Sequence, residues 1–247
     1  MRVLILGGTG EARELARIVS GERGFDIVSS LAGRVRDPLL PEGEVRIGGF
    51  GGADGLRKWL TDHGIERVVD ATHPFAATIS ANAARAAADA GVPLLRLLRP
   101  AWTPGPGDRW IPVPDLTEAA RAAAGHERVF LTIGRQGVSA FADLAAPWFL
   151  IRAIDPPTAA LPPRHELLLA RGPFTLDEEI ALMTQHGVEV VVSKNSGGDR
   201  TEAKLAAARE LGIPVVMIDR PAPAPANVVV DSPEAALAWL TEPWGKP

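Results

Sequence analysis

The residues with the clearest capacity for chemistry form a glycine-rich turn near the start of the chain. The turn has the sequence GGTGE and consists of Gly7, Gly8, Thr9, Gly10 and Glu11. Glycine lets the backbone turn tightly, and the helix expected to follow would present its first N–H groups and its positive dipole end to a phosphate. The turn therefore predicts a site for the pyrophosphate of a dinucleotide. The fingerprint is incomplete, since its third glycine falls on Arg13, and a turn without a nucleotide is the alternative.

The end of the second predicted strand indicates which dinucleotide would bind. Proteins that bind NAD usually place an Asp or Glu there, which accepts a hydrogen bond from the ribose 2′-hydroxyl. Here Ser29 and Ser30 occupy that position, and Arg34 follows them. Hydroxyl groups and a guanidinium suit a 2′-phosphate, because arginine presents a planar fork of donors to phosphate oxygens. The pattern favours NADPH over NADH, and a solvated loop around Arg34 is the other interpretation.

A second glycine-rich segment, Gly48–Gly52, surrounds a single aromatic residue. Gly49 and Gly51 would let the backbone approach a ligand closely, and Phe50 could stack on that ligand or cover it. We expect these three residues to contribute to the cofactor site. A flexible turn that leads into the next helix would explain the same residues without a ligand.

A threonine and a histidine follow the buried strand Ile65–Asp70, directly before Pro74 and an Ala-rich helix. Open α/β sheets bind their ligands at the carboxyl ends of the strands. We expect Thr72 to contact the cofactor, Phe75 to contact the substrate, and His73 to supply a proton, because imidazole has an unperturbed pKa of about 6.5. A packed or capping histidine is the alternative.

Further candidate anion-binding residues lie in the C-terminal half. Lys194, Asn195, Ser196 and Gly197 follow a buried strand, and Arg135 follows an earlier one. Glycine-rich turns with lysine, asparagine and serine offer backbone N–H groups and side-chain donors to an anion. We expect this loop and Arg135 to bind the substrate, with Lys194 as a second candidate proton donor if it is desolvated. A simple turn, with Lys194 directed to water, is the alternative.

The order of the predicted elements positions these residues. Short apolar runs alternate with helical segments along the chain, which is typical of parallel sheets covered by helices. The segment GIERVVDATHP, an Ala-rich helix and GVPLLRLLRP recur as GVEVVVSKNSG, an Ala-rich helix and GIPVVMIDRP. The repeat predicts an α/β fold of two Rossmann-like parallel-sheet domains with a cleft between them.

The boundary between the predicted domains lies in a segment rich in proline and glycine, 101–114, which we interpret as a linker. The N-terminal domain, residues 1–100, would bind NADP. The C-terminal domain, residues 115–247, would complete the substrate cleft.

The composition argues against several classes of protein. The formal net charge of -4 gives no support for a nucleic-acid or anionic-membrane partner. The absence of cysteine removes disulfides, thiolate nucleophiles and cysteine metal sites. No apolar run is long enough to span a bilayer and no secretory leader is recognised, so we expect a cytoplasmic protein. Tyrosine is also absent, which excludes the Tyr and Lys pair of short-chain dehydrogenases.

A family resemblance is carried by GGTGEARELA, DATHPFA, SKNSGG and KLAAARELGIPVVMIDRP, in this order. Together these segments resemble the precorrin-6A reductase family of cobalamin biosynthesis, over nearly the whole chain. The resemblance implies an NADPH-dependent reduction of one double bond of the precorrin-6A macrocycle to give precorrin-6B, without a metal or a flavin. It implies a tetrapyrrole substrate and transient contacts with neighbouring enzymes of the pathway. Candidate ligands for the substrate's carboxylates are Arg99, Arg135, Arg152, Lys194 and Arg220.

Other functions remain open from the residues alone. An NADP-dependent reductase or epimerase of another small anion would keep the cofactor site, although the lack of tyrosine argues against its commonest chemistry. A non-enzymatic sensor would bind NADP without turnover and would not need the anion site around Lys194. A glycosyl or phosphoryl transferase would need acidic residues at strand ends, for which Asp70 alone gives little support.

Overall fold

The computed structural model describes residues 1–33 and 36–243 and divides into two compact units. The first unit consists of Met1–Pro100 together with the segment that begins at Pro221, and the second consists of Ala101–Arg220. Each unit contains a six-stranded sheet in which all neighbouring strands are parallel. The predicted α/β fold with two Rossmann-like parallel sheets is confirmed.

The first unit has the strand order of a dinucleotide-binding fold. Its strands, numbered along the whole chain, are β1 (Arg2–Leu6), β2 (Asp26–Leu31), β3 (Glu44–Ile47), β4 (Arg67–Asp70), β5 (Leu94–Leu97) and β12 (Val228–Val230). Its helices are α1 (Gly10–Ser20), α2 (Gly52–Asp62), α3 (Ala77–Ala90) and α7 (Pro233–Thr241). Across the sheet the order is β12-β5-β4-β1-β2-β3. With β12 as the sixth strand, this order matches that of the Rossmann fold.

The central strand β1 is buried on both faces, as its apolar run predicts. Side chains alternate between the two faces of a strand. On one face, Val3 and Ile5 pack with residues of α1 and α7. On the other face, Leu4 and Leu6 pack with residues of α2 and α3. The helices on both faces therefore fix the carboxyl end of β1, where the glycine turn begins.

The second unit repeats this architecture. Its strands are β6 (Trp110–Val113), β7 (Arg128–Leu131), β8 (Trp148–Ala153), β9 (His165–Leu169), β10 (Val190–Lys194) and β11 (Val215–Ile218). Its helices are α4 (Leu116–Ala123), α5 (Leu176–Gln185) and α6 (Ala203–Glu210), with short 3-10 segments at Val138–Phe141 and Asp199–Thr201. The order across the sheet is β6-β11-β10-β7-β8-β9, in which β6 takes the place of the sixth strand.

The sixth strand of each sheet comes from the part of the chain that directly follows the other sheet's strands. β6 follows β5 along the chain but pairs with β11 in the second sheet. β12 follows β11 but pairs with β5 in the first sheet, where the Leu98 N–H donates to the Val230 carbonyl at 2.8 Å. Without these strands, β5 and β11 would each be an edge with unpaired N–H and C=O groups.

This pairing corrects the expected domain boundaries. The segment 101–114, expected to be a linker, contains β6 and belongs to the second unit. Its Pro112 is compatible with a strand because β6 lies at an edge, where a missing N–H is tolerated. The expected C-terminal domain, 115–247, ends earlier, because β12 and α7 belong to the first unit. β12 has three residues, too few to give a recognisable period.

Helix α7 is joined to the first sheet by a buried arginine of β4. The Trp239 side chain lies in the core with Leu240, and the Arg67 guanidinium lies over its ring, 4.8 Å from a ring centre. Arg67 also donates hydrogen bonds to the carbonyl oxygens of Trp239 and Glu242, at the end of α7. Carbonyl groups at a helix end have no partner within the helix, so Arg67 satisfies groups that would otherwise need water.

We expect Trp239→Ala to lower the free energy of unfolding by about 3–5 kcal/mol, because it leaves a cavity in the core of the first unit. Val229→Ala is the matched control, since Val229 lies on β12 in the same segment but is 57% exposed. We expect the control to change the free energy by less than about 0.5 kcal/mol. Denaturant unfolding followed by circular dichroism measures both variants. Equal losses would contradict the packing of α7 in this core.

Candidate functional site

The glycine turn between β1 and α1 is tied to a neighbouring strand through one hydroxyl group. Thr9 Oγ1 accepts a hydrogen bond from the Ala12 N–H at 3.1 Å, which caps the start of α1. The same hydroxyl donates to the Ala71 carbonyl at 2.9 Å, directly after β4. Thr9 is buried, so both bonds lie away from solvent. The turn and the segment after β4 therefore hold each other in position.

The backbone of this turn depends on glycine and leaves the start of α1 open to an anion. Gly8 has a φ of +114°, which residues with a Cβ atom rarely adopt. The Gly7 N–H donates to the Ser30 carbonyl of β2 at 2.9 Å. Gly10 and Glu11 begin α1, and the first N–H groups of a helix have no acceptor within it. These N–H groups and the helix dipole suit a phosphate.

A small, narrow pocket beside the turn is lined by several of the predicted cofactor residues. Its lining consists of Thr9, Glu11, Thr72, Pro74, Leu97, Leu98 and Arg99. In this pocket Arg99 Nη1 donates to the Glu11 carboxylate at 2.8 Å, and both side chains are largely buried. The ion pair offsets the negative charge that Glu11 would otherwise place where a phosphate is expected. The structure thus brings Thr9, Glu11 and Thr72 together.

A buried ion pair between β4 and β5 fixes the position of Thr72. Asp70 Oδ2 accepts a hydrogen bond from Arg96 Nη1 at 2.8 Å, and the two side chains are 2% and 4% exposed. Asp70 Oδ1 accepts bonds from the Thr72 N–H at 3.1 Å and from the Thr72 hydroxyl at 2.7 Å. Because its hydroxyl proton is used by Asp70, Thr72 can offer a ligand mainly an acceptor. Arg96 was not predicted, and its signal is a single arginine within VPLLRLL.

His73 is exposed and carries a defined hydrogen bond to its ring. The Phe75 N–H donates to His73 Nδ1 at 3.2 Å, and the two rings lie 5.9 Å apart. Because Nδ1 accepts this bond, the neutral ring carries its proton on Nε2. Protonation of both nitrogens would require the bond from Phe75 to break. The position of the His73 ring is therefore coupled to the backbone of Phe75.

The two serines of β2 differ in their surroundings. Ser29 and Ser30 are both buried, and successive residues of a strand face opposite sides of the sheet. The Ser29 hydroxyl has no hydrogen-bond partner among residues 1–33 and 36–243. Ser30 Oγ lies 3.5 Å from Arg46 Nη1 on the neighbouring strand β3. Arg34, predicted to accompany these serines, lies outside the described residues.

Arg46 organises the second glycine-rich segment. Its guanidinium donates to the carbonyl oxygens of Gly48 at 2.5 Å and Gly49 at 2.7 Å, and lies 3.8 Å from the centre of the Phe50 ring. Phe50 also contacts Trp59 edge-on at 5.4 Å. Gly51, with a φ of +80°, precedes α2. Burial lowers the pKa of Arg46. Arg46 was missed from the sequence, where it is one arginine in the short strand before GGFGG.

In the second unit, β10 ends at Lys194 and continues into a loop that is held from two sides. The Asn195 amide accepts a hydrogen bond from the Trp102 N–H at 2.9 Å and donates one to the Trp102 carbonyl at 3.1 Å. Arg220 donates to the carbonyl oxygens of Asn195 at 2.8 Å and Ser196 at 2.9 Å. Asn195, predicted as a substrate ligand, thus uses its side-chain amide to bind the backbone of Trp102.

The remaining predicted residues of this loop differ in what they can offer an anion, because the Ser196 N–H donates to the Lys194 carbonyl at 2.7 Å. Ser196 Oγ lies 3.3 Å from the Lys194 carbonyl, to which it donates. Gly197 has a φ of +67°, which glycine adopts readily. Lys194 is half-buried, and burial lowers the pKa of its ammonium group. A lowered pKa makes proton donation easier near neutral pH.

Two basic side chains considered for the substrate differ in their accessibility. Arg135 Nη1 lies 4.0 Å from Asp155 Oδ2, and its side chain is 28% exposed. Arg152 forms an ion pair with Glu179 at 2.7 Å, in which the side chains are 7% and 1% exposed. The Arg152 guanidinium also lies 3.8 Å from the centre of the Phe174 ring. Arg152 therefore belongs to the core of the second unit, whereas Arg135 stays partly accessible.

Among residues 1–33 and 36–243, no group of three His, Asp or Glu side chains is placed to hold a metal ion. Within the same ranges, no helix has both the length and the apolar character needed to cross a membrane.

The strand order and the glycine turn define the class of protein as a Rossmann-type α/β protein with two parallel-sheet units. Comparison with known proteins gives the family. A family model described as "Precorrin-6x reductase CbiJ/CobK" matches residues 2–241. The chain belongs to the precorrin-6x reductase family, and the resemblance carried by the four sequence segments is confirmed.

Relatives of high identity match almost the full chain. A precorrin-6A reductase of Rhodococcus erythropolis is 60% identical over 240 residues, 97% of this chain and 97% of the relative. One of Mycobacterium tuberculosis (strain CDC 1551 / Oshkosh) is 52% identical over 242 residues, again 97% of each. A solved structure described as CobK precorrin-6A reductase has a TM-score of 0.91 and 46% identity, covering 97% of this chain and 96% of that one. The chain is therefore an oxidoreductase of this family.

We expect Asp70→Ala to lower the free energy of unfolding by about 3–5 kcal/mol, because Arg96 is left buried without its partner. The double variant Asp70→Leu with Arg96→Met removes both charges, and we expect it to cost much less. Urea denaturation of the wild type and both variants measures the difference. If Asp70→Ala lowers the free energy of unfolding no more than the double variant does, the ion pair with Asp70 does not compensate for the burial of Arg96.

Proposed function

We propose that this chain reduces one double bond of the precorrin-6A macrocycle with a hydride from NADPH and a proton, to give precorrin-6B in cobalamin biosynthesis. The observation that carries the proposal is the match of nearly the whole chain to relatives named precorrin-6A reductase. Because the most similar of these reported relatives carry that name, the metal-free macrocycle is the proposed substrate. The proposal keeps the cytoplasmic location and the transient contacts with pathway enzymes that the family resemblance implies.

The first unit has the groups needed to bind NADPH. The N–H groups at the start of α1 would hold the pyrophosphate, and Arg99 would offset the charge of Glu11 beside it. The hydroxyl groups of Ser29 and Ser30 lie near the end of β2, where the adenosine ribose binds in this fold. NADPH, when bound, supplies the hydride. The residues of the chain orient it and neutralise its charge.

The second unit has groups that suit the carboxylates of a tetrapyrrole. Arg135 and the backbone N–H of Gly197 are the proposed ligands, because arginine and backbone N–H groups both bind carboxylates. Asn195 would act by fixing the loop through the backbone of Trp102. Phe75, in the first unit, is proposed to contact the macrocycle through its ring.

Two side chains are proposed as candidates for the proton donor. Lys194 is supported by its burial, which lowers the pKa of its ammonium group. His73 is supported by its exposed position directly after β4, and to act as a donor it must also be protonated on Nδ1, which breaks the bond from Phe75. Each residue would hold one proton at a defined atom and transfer it to the carbon next to the one that receives the hydride.

The direct test supplies precorrin-6A and NADPH to the purified protein. We expect the nicotinamide absorbance to fall together with the precorrin chromophore, faster with NADPH than with NADH. The cobalt-bearing macrocycle is the comparison substrate, and we expect slower reduction. Tight binding of NADPH without reduction of either macrocycle would contradict the proposal and favour a non-enzymatic NADP sensor.

The dependence of turnover on pH distinguishes the two candidate donors. A lysine donor must be protonated, so turnover should fall as pH rises through the lowered pKa of Lys194, below the ordinary value of about 10.4. Lys194→Ala should then lower turnover by about 100-fold or more and remove this fall, with NADPH binding unchanged. Lys58→Ala is the control, because Lys58 is largely exposed on α2.

His73→Ala is measured in the same way. If His73 is the donor, turnover should fall as pH rises through the histidine range, near about 6.5, and His73→Ala should abolish that dependence. An unchanged turnover in either variant removes that residue from the mechanism.

A further inference from the structure

We infer that Arg46 binds the 2′-phosphate of NADPH and selects it over NADH. The inference rests on the proposed function, since it assigns a residue to the cofactor already proposed. Its starting point is the pairing of β2 and β3, in which Arg46 stands beside Ser30. Arg46 Nη1 and Ser30 Oγ lie 3.5 Å apart, at the carboxyl end of β2. In Rossmann folds this strand end meets the adenosine ribose.

The guanidinium of Arg46 is held in a fixed orientation. Gly48 and Gly49 accept hydrogen bonds from its two Nη atoms, and the Phe50 ring lies against it. A guanidinium also carries a donor on Nε and a second proton on each Nη. The bonds formed within residues 1–33 and 36–243 leave the Nε proton and one Nη2 proton available. Two donors held in one plane match two phosphate oxygens. A mobile surface arginine would first have to lose conformational freedom to bind in the same way.

The charge of Arg46 also points to an anionic ligand. Among the arginines of the first unit, Arg96 has a carboxylate partner in Asp70 and Arg99 has one in Glu11, whereas the buried Arg67 bonds to carbonyl oxygens at the end of α7. No such ion pair is formed by Arg46 within the part of the chain that the structure describes. Burial lowers its pKa, so the cation is partly desolvated without a compensating carboxylate. A dianionic phosphate beside Ser30 would supply that compensation.

The test uses two probes that differ only in the 2′-phosphate, 2′,5′-ADP and 5′-AMP. Titration calorimetry on the full chain measures both, for the wild type and for Arg46→Gln. We expect the variant to bind 2′,5′-ADP roughly 10- to 100-fold more weakly and to bind 5′-AMP almost unchanged. Arg46→Lys keeps the charge without the planar fork, so it should retain part of the preference. Arg57→Gln, an exposed arginine of α2, is the control for charge.

The outcomes separate this inference from the proposed function. If the wild type binds the two probes equally, the preference for NADPH fails as well. If the wild type prefers 2′,5′-ADP and Arg46→Gln keeps that preference, the inference is overturned while NADPH dependence stands. If Arg46→Gln weakens both probes equally, Arg46 only holds the Gly48–Gly52 segment, and the inference is also overturned. Thermal unfolding checks that the variants fold. If Arg46→Gln does not fold, Arg46→Lys provides the same comparison of the two probes.

Discussion

The Thr9 hydroxyl connects the two segments that the first unit presents at the carboxyl edge of its sheet. Its bond to the Ala71 carbonyl ties the glycine turn to the end of β4, and Asp70 then holds Thr72 two residues further along. Arg96 completes the network from β5 through its ion pair with the buried Asp70 side chain. The turn and the Thr72 segment are therefore fixed before any ligand arrives. A preorganised edge lets the energy of cofactor binding be used to orient the reacting groups.

Much of the fold could be predicted because parallel strands buried on both faces leave a clear apolar signal. The run Val3–Leu6 and the repeated strand–loop–helix unit gave the two sheets and their central strands. The sixth strands could not be predicted from periodicity. β6 contains Pro112 and β12 has three residues, so each has little pattern of its own. Their partners are determined by the unpaired edges of β5 and β11, which only the assembled sheets reveal.

The site was predicted less completely, for a related reason. Glycine turns and polar residues at strand ends are local signals, and they led to Thr9, Glu11 and Thr72, which the structure brings together in one pocket. The roles of Arg46 and Arg96 depend on contacts with Ser30 and Asp70, respectively. Both partners lie on neighbouring strands and are distant in the sequence. Side-chain accessibility is equally non-local, as Arg152 shows by its burial against Glu179. Pairings across a sheet are thus the information that a single sequence lacks.

We propose that the chain transfers a hydride from NADPH to the precorrin macrocycle. NADPH carrying deuterium at both C4 positions of the nicotinamide ring tests it most directly, with mass spectrometry of the product. We expect the reduced macrocycle to gain one deuterium from the labelled cofactor in ordinary water, and one deuterium from the solvent when unlabelled NADPH is used in heavy water. A reduced macrocycle without deuterium from the cofactor, or no reduction at all, would contradict it.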